Sequence, residues 1–176
     1  MVILGLDLSL SSTGYSVINY DEEILECDVI NTDAKQNTEF ERMYIIAQKC
    51  KDLILKYNVD YIICENSFFG TNANTGIKLA RLLGSVSYVA IEMKKEIELL
   101  SPSQARRILT GDGKTSKEQI ANYIRMNHID LGEYCNKTVK SKGLEKNSDK
   151  YDSLCVSLAF LKKYKLDKKY KINSNK

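Results

Sequence analysis

The spacing of apolar residues changes along this chain, and the change restricts the fold more than any other feature. Three β-like runs come first, VILGLDLSL, TGYSVINY and ILECDVI, and their short polar connections predict an antiparallel meander. From Glu39 to Tyr57 the apolar residues recur at helical intervals instead. VDYIICE and EIELLSP then predict two further strands, each preceded by a helical stretch.

The later elements complete this pattern. The spacing predicts a helix from about Thr75 to Lys95, two short helices near Ser103–Leu109 and Thr115–Met126, and a last helix from about Ser148 to Lys163. The resulting order, βββαβαβααα, does not match a doubly wound fold, in which strands and helices alternate from the start. We therefore expect an α/β fold with a five-stranded mixed sheet flanked by helices.

Composition bounds the class of protein. A chain of 176 residues with 43% hydrophobic and 28% charged residues is typical of one ordinary globular domain. No apolar stretch approaches the roughly 18 residues that a membrane span needs, and the first residues lack a basic leader, so we expect a cytoplasmic protein with no membrane contact. The five cysteines are scattered and include no CxxC pair, which indicates reduced thiols rather than a zinc site or disulfides.

Charge is distributed unevenly between the two parts of the chain. Residues 1–100 contain 9 Lys and Arg against 15 Asp and Glu, whereas residues 101–176 contain 17 against 8. The densest segment is LKKYKLDKKYKINSNK, with seven lysines and one aspartate. This tail is either a solvated, partly frayed end or a contact for a polyanion, because clustered lysines release counterions from phosphate backbones.

Four carboxylates occupy positions that would bring them to one edge of such a sheet. Asp7 lies in the apolar first strand, and Glu65 closes the strand DYIICE at its C-terminal end, where open α/β sheets bind ligands. Asp149 and Asp152 are three residues apart at the start of the last helix, so they share a face. Each acid taken alone is typical of a turn or of the first turn of a helix.

The four acids together predict a metal site. Clustered carboxylates repel one another unless cations neutralise them, and a carboxylate beside a core is costly to desolvate. Ligation by oxygen alone, with no His or Cys nearby, suits Mg²⁺ or Mn²⁺. Two such ions about 4 Å apart would activate a water and stabilise the leaving oxygen of a phosphodiester.

Four motifs in order are similar to one known family. GLDLSLSSTGYSVI looks like the opening strand pair of RuvC-type Holliday junction resolvases, members of the RNase H-like superfamily, and ICENSFF is similar to the segment that carries their second acid. SPSQARRILTGDGKTSKEQI resembles their run of proline, basic residues and glycines, and SDKYDSLCVSLAF resembles their closing helix. The likeness implies an RNase H-like nuclease domain over residues 1–164, followed by a basic tail at 165–176.

The resemblance also implies roles for individual residues. Asp7, Glu65, Asp149 and Asp152 would be the catalytic metal ligands, and Lys117 would contact the scissile phosphate. Each further position has an ordinary alternative, such as a helix-start lysine, a surface helix face or aromatic core packing. The DNA-binding residues implied by the likeness are Phe68, Phe69, Arg106, Arg107, Lys114 and Lys117. His128, the one histidine, is interpreted as structural.

The resemblance implies a Mg²⁺-dependent endodeoxyribonuclease, with Mn²⁺ as a substitute, that resolves four-way DNA by paired symmetric nicks. Two alternatives remain open: a general debranching nuclease for forks and flaps, as some phage-encoded relatives are, and a non-catalytic binder of branched DNA. The first strand pair also resembles the phosphate hairpin of actin-like ATPases, although those proteins need two such domains. A second apolar face on the helix near residues 75–95 allows a homodimer, which would match a two-fold symmetric junction.

Overall fold

The computed structural model of the chain describes residues 1–66, 73–127 and 148–174. The predicted order of strands and helices is confirmed over these ranges. The elements are β1 (Val2–Asp7), β2 (Ser12–Asn19), β3 (Ile24–Asn31), α1 (Glu39–Tyr57), β4 (Tyr61–Glu65), α2 (Ala73–Glu92), β5 (Glu96–Leu100), α3 (Pro102–Thr110), α4 (Lys117–Asn127) and α5 (Ser148–Ser174).

The five strands form one mixed sheet in the order β3-β2-β1-β4-β5. The first three strands pair antiparallel, as the meander predicted, whereas β4 and β5 are parallel to β1. Because β1 is central, its C-terminal end lies directly beside the C-terminal end of β4. In that pairing Leu6 lies opposite Cys64, so Asp7 and Glu65 follow side by side as the last residues of their strands.

Helices cover both faces of the sheet, and alternation along β1 assigns side chains to the two cores. Leu4 and Leu6 face the helices α1 and α2, while Ile3 faces α3, α4 and α5. Asp7 has the same parity as Ile3, and Glu65 has the same parity as Ile63, which also belongs to the α5 side. Both strand-end acids therefore point to the side of the sheet on which α5 lies.

Small residues let α5 approach the sheet closely. A Cβ atom on Gly5 would lie 2.4 Å from the Ser153 carbonyl oxygen, closer than real Cβ contacts allow. The Ser16 hydroxyl donates to that same carbonyl at 2.9 Å and lies 3.0 Å from the Ser157 hydroxyl. These contacts fix α5 against β1 and β2, and they fix the position at which its N-terminus meets the edge of the sheet.

The last helix is longer than the sequence predicted. It continues from Lys163 to Ser174, because no proline or glycine interrupts this lysine-rich stretch and lysine is a good helix former. Lys165 forms an ion pair with Glu22 at 2.8 Å, and Lys163 lies 3.8 Å from Glu98. The tail is therefore helical rather than frayed as far as Ser174, and much of it is exposed to solvent as the first alternative expects; the division at residue 164 stays a prediction.

Across the described ranges, none of the helices is both long enough and apolar enough to pass through a bilayer.

Candidate active site

Two carboxylates lie at the centre of the site edge of the sheet. Asp7 ends β1 and Glu65 ends β4, and both side chains are half-buried. Within the described part of the chain, neither carboxylate accepts a hydrogen bond or forms an ion pair with another side chain. A half-buried carboxylate without donors is unusual, because its desolvation is normally offset by hydrogen bonds or cations.

The pKa values of these two acids are raised, as expected for half-buried carboxylates without hydrogen-bond donors. Burial, together with the neighbouring charges of Glu65 and Asp152, raises the pKa of Asp7 to about 8 against the lowering effect of the Lys117 cation. Burial and the charge of Asp152 likewise raise the pKa of Glu65 to about 7, against the lowering effect of the Lys117 and Arg106 cations. The acids are therefore close enough to repel one another at this edge of the sheet.

The first acid of α5 is held by the turn between β1 and β2. The Ser12 hydroxyl donates to Asp149 Oδ2 at 2.7 Å. Gly14 permits this approach, because a Cβ atom there would lie 2.0 Å from the Asp149 carbonyl oxygen. Since Gly14 also pairs directly with Asp7 in the sheet, the Thr13–Gly14 step brings the start of α5 against the strand that carries the central acid.

The second acid of α5 has a lysine partner. Asp152 is buried, and the Lys117 ammonium at the start of α4 donates to its Oδ2 atom. Burial acts to lower the pKa of Lys117, but the hydrogen bond and charge of Asp152 outweigh it and raise the pKa. Lys117 also feels the charges of Asp7 and Glu65, so one ammonium group faces three of the four acids.

The donor set fits a hard divalent cation in its chemistry. Carboxylate oxygens are the ligands that Mg²⁺ and Mn²⁺ prefer, and Asp7 and Glu65 offer oxygens to which no donor among the described residues is hydrogen-bonded. The four side chains do not form a complete metal site in this conformation. Among residues 1–66, 73–127 and 148–174, no three His, Cys, Asp or Glu side chains are arranged to bind one metal ion. What the structure provides is four carboxylates at one edge, two of them uncompensated.

The predicted basic residues Arg106 and Arg107 lie on α3, and Lys114 lies in the turn that leads to α4. Arg107 and Lys114 are exposed. Arg106 is half-buried and donates from Nη1 to the Thr115 carbonyl oxygen at 3.2 Å. Its positive charge also acts on Glu65, where it opposes the burial that raises the pKa of that acid. The structure thus separates the two neighbouring arginines, one directed to solvent and one into the protein.

Comparison with known proteins identifies the family. The family model of the crossover junction endodeoxyribonuclease RuvC matches residues 3–141, more than three-quarters of the chain. The chain belongs to the RuvC family. Family membership confirms the predicted class of enzyme, a metal-dependent nuclease that acts on DNA, and favours it over the ATPase alternative.

Individual RuvC proteins match over nearly the whole chain. The RuvC of Prochlorococcus marinus is 31% identical over 164 residues, which are 92% of this chain and 96% of that protein. The RuvC of Dictyoglomus turgidum is 26% identical, over 93% of this chain and 98% of that protein. These two matches extend beyond residue 141, where the family model ends.

Solved structures support the fold. The Thermus thermophilus RuvC structure matches with a TM-score of 0.76 at 21% identity, over 95% of this chain and 97% of that one. The same protein in complex with a Holliday junction substrate gives a TM-score of 0.76 at 20% identity, over 94% and 96% of the two chains. The predicted RNase H-like fold with its five-stranded mixed sheet is confirmed.

Three predicted positions lie outside the described residues. Phe68 and Phe69 follow β4 after Glu65, and His128 follows α4. Their roles stay predictions. The four acids and Lys117 come from β1, β4, α4 and α5 and lie at the same edge of the sheet, and the charge of Arg106 on α3 acts on Glu65. The roles of Arg107 and Lys114 also stay predictions.

Sequence reasoning missed the residues that hold the acids in place. Ser12 lies in a polar stretch that predicts only a turn, yet its hydroxyl beside the Thr–Gly step donates to Asp149. Arg42 of α1 was not singled out, yet its Nε donates to the Thr32 hydroxyl at 2.8 Å and its Nη2 to the Ser11 hydroxyl at 3.2 Å. Arg42 thereby stabilises the turn that leads into Ser12, and no local sequence pattern predicts this contact.

Proposed function

We propose that this RuvC-family protein resolves four-way DNA junctions by paired symmetric nicks, each made by metal-dependent hydrolysis of a phosphodiester. One observation carries the proposal: Asp7 and Glu65 are half-buried and uncompensated beside Asp149 and Asp152 in a chain of this family. Buried carboxylates without partners favour a bound cation, and the family supplies the substrate. The relatives named above are bacterial proteins, which supports the bacterial cytoplasm as the place of action.

The four acids would hold two Mg²⁺ ions, with Mn²⁺ as a substitute. When bound, such ions lower the pKa of a water and neutralise charge on a phosphate. The protein's own contribution is to hold the carboxylates in place before the ions arrive. Ser12 orients Asp149, and Lys117 orients Asp152. Lys117 also places a positive charge where negative charge develops on the scissile phosphate.

The remaining predicted residues would bind the DNA around that phosphate. Arg107 and Lys114 are exposed and carry charges suited to the phosphate backbone. Phe68 and Phe69 follow the strand that ends in Glu65, and we propose that they stack on bases at the branch point.

A cleavage assay with matched carboxylate variants tests the proposal. A synthetic four-way junction is incubated with the wild type, Asp7→Asn and Asp60→Asn in Mg²⁺ or Mn²⁺. Asp60 is a suitable control because it accepts a hydrogen bond from the Val2 backbone at the opposite end of β1. We expect wild type and Asp60→Asn to cut alike and Asp7→Asn to be inactive. Equal cutting by Asp7→Asn would disprove the assigned site.

The same assay separates the alternatives. Faster cutting of forks and flaps than of four-way junctions would indicate a general debranching nuclease. Tight junction binding without cleavage in either cation would indicate a binding protein whose acids only retain ions. We expect neither result, because the resolvase family matches most of the chain.

We further propose that the active form is a homodimer joined through α1 and α2. Ile77, Tyr88 and Ile91 of α2 are 50%, 68% and 70% exposed, and Phe40 and Tyr44 of α1 are 69% and 64% exposed. An exposed apolar face of this kind on a soluble domain favours a partner, and a two-fold junction favours a second copy.

Sedimentation of the full chain tests the dimer. We expect a dimer for the wild type and a monomer for Ile91→Glu, which places a charge in the apolar face. Leu166→Glu is the matched control, because Leu166 is also exposed, at 46%, but lies on α5. The monomer should make single nicks instead of paired ones. A wild type that sediments as a monomer when bound to a junction would contradict the proposal.

A further inference from the structure

The turn between α3 and α4 is unusually well fixed for a loop of six residues. Gly111 ends α3 with a φ of 88°, a conformation that glycine tolerates. The Thr110 and Thr115 hydroxyls lie 2.8 Å apart, and the Thr115 hydroxyl also donates to the Asp112 carbonyl at 2.7 Å. The Lys114 backbone N–H donates to Asp112 Oδ1 at 2.9 Å.

This turn leads directly into the start of α4. Ser116 and Gln119 exchange hydrogen bonds between side chain and backbone, at 2.9 and 3.2 Å, in the manner of a capping box. Lys117 is the first residue of α4, so its backbone position is set by whatever holds Thr115 and Ser116. Its ammonium then reaches Asp152 on α5.

Arg106 is the side chain that holds Thr115 from the outside of the turn. Its Nη1 donates to the Thr115 carbonyl, two residues before Lys117. Arg107, one residue further along α3, is exposed. Arg106 hydrogen-bonds the backbone two residues before the lysine, whereas Arg107 Nε lies beside Gly113, 3.6 Å from where a Cβ atom on that glycine would be.

We propose that Arg106 is a positioning residue, which holds Lys117 against Asp152 through the Thr115 carbonyl, rather than a contact for the DNA backbone. This rests on the proposed function, in which Lys117 acts at the scissile phosphate. A group fixed in advance loses little free energy on reaching its reacting geometry, whereas a misplacement of about 1 Å costs on the order of 10²-fold in rate. Arg106 would supply that fixing without touching the substrate.

The position of Lys117 can be measured without any DNA. Lysines of the full-length protein are acetylated with limiting reagent, and the extent at Lys117 is read by mass spectrometry. The ion pair with Asp152 slows Lys117 in the wild type. We expect Arg106→Ala to raise its acetylation to the level of Asp152→Asn, and Arg107→Ala to leave it unchanged. Unchanged acetylation in Arg106→Ala, with native circular dichroism, would overturn the proposal.

Junction cleavage and binding give the second readout. At saturating enzyme, Arg106→Ala should cut about 10- to 100-fold more slowly than the wild type. The double variant of Arg106→Ala and Lys117→Ala should cut less than about twofold more slowly than Lys117→Ala alone, because both changes act through the same lysine. Arg106→Lys, which keeps a donor for the same carbonyl, should restore cutting. Junction binding measured in Ca²⁺ should keep its salt dependence in Arg106→Ala, whereas Arg107→Ala should lower the slope by about one.

Two results distinguish failure of this inference from failure of the proposed function. Weaker junction binding and a smaller salt slope in Arg106→Ala, at an unchanged saturating rate, would make Arg106 a phosphate contact and overturn the inference. A wild type that cuts no branched DNA would overturn the proposed function instead, and the acetylation comparison would still decide the role of Arg106.

Discussion

Two half-buried carboxylates of this protein, Asp7 and Glu26, have opposite surroundings. Glu26 of β3 accepts hydrogen bonds from the Tyr15 and Tyr57 hydroxyls at 2.6 and 2.7 Å and from Lys56 at 2.7 Å, while Lys49 lies 3.6 Å away. Burial acts to raise its pKa, but these donors outweigh burial and lower it to about 2. Asp7 has no such donors, and its pKa is raised to about 8.

The difference shows where this fold compensates charge and where it does not. Around Glu26, two tyrosines and two lysines from β2 and α1 neutralise one acid, which is what a structural carboxylate requires. At the site edge, the charge of Lys117 acts on Asp7, Glu65 and Asp152, and that of Arg106 acts on Glu65, but the pKa values of Asp7 and Glu65 stay raised. Because the same chain can surround an acid with donors, the bare acids at the site edge favour a ligand from outside the protein.

The largest expected effect separates activity from stability at Asp7. Asp7→Asn should lower the rate of junction cleavage by more than about 10²-fold, since a lost charge-stabilising group at a reacting centre typically costs that much. The same variant should unfold at higher temperature than the wild type at pH 8 without divalent ions. The neutral amide removes a costly ionised group, and we expect a gain of about 1–2 kcal/mol. An Asp7→Asn variant less stable than the wild type would contradict the contrast with Glu26, because Asp7 would then be stabilised by partners of its own.

A second test concerns the close approach of α5. Gly14→Ala places a Cβ atom against the Asp149 backbone, so α5 must shift, and we expect a loss of about 1–3 kcal/mol in the free energy of unfolding together with slower cleavage. Gly84→Ala is the matched control. No atom lies within 4 Å of its added Cβ, so it should stabilise α2 by about 0.5–1 kcal/mol. Chemical denaturation measures both, and equal effects would contradict the packing described.

Glu26→Gln should behave as the reverse of Asp7→Asn. It weakens the charge-assisted hydrogen bonds from Lys56 and the tyrosines, so we expect a loss of about 1–2 kcal/mol in the free energy of unfolding at pH 7. Cleavage at saturating enzyme should stay unchanged. The lowered pKa means that Glu26 stabilises the fold above about pH 4.5 and loses this effect as the pH falls toward 2. In acid unfolding, the stability of Glu26→Gln should accordingly not show the decrease that Glu26 causes between about pH 4.5 and pH 2.

The smallest expected effect is the response of stability to pH and divalent ions. Because the folded-state pKa values of Asp7 and Glu65 are raised, the metal-free fold should lose stability as the pH rises from about 4 toward 8. At pH 8, Mg²⁺ or Mn²⁺ at ten times its dissociation constant should restore about 1.4 kcal/mol, measured by thermal unfolding. The restoration should be weaker in Asp7→Asn, and an equal shift in that variant would place the ions elsewhere.

Local pattern was enough to predict the elements and the candidate acids. Strand alternation, helical spacing and the position of each acid at an element end can be read along a short stretch of chain. Motif order then gave the family. The end of α5 was predicted too early, because a lysine-rich stretch without a stop signal leaves the choice between helix and coil to tertiary contacts such as Lys165 with Glu22.

Local sequence pattern is sufficient to place Asp7, Glu65, Asp149 and Asp152 near the ends of elements that can meet at one edge of a sheet. Packing in three dimensions selects which acids receive a hydrogen bond: Ser12 donates to Asp149 and Lys117 to Asp152, whereas no described side chain donates to Asp7 or Glu65. It also decided that Arg106 and Arg107, adjacent in sequence, face different surroundings. The physical reason is that a charge is stabilised or left exposed by neighbours in space, and such a neighbour can lie far along the chain, as Ser12 lies 137 residues from Asp149.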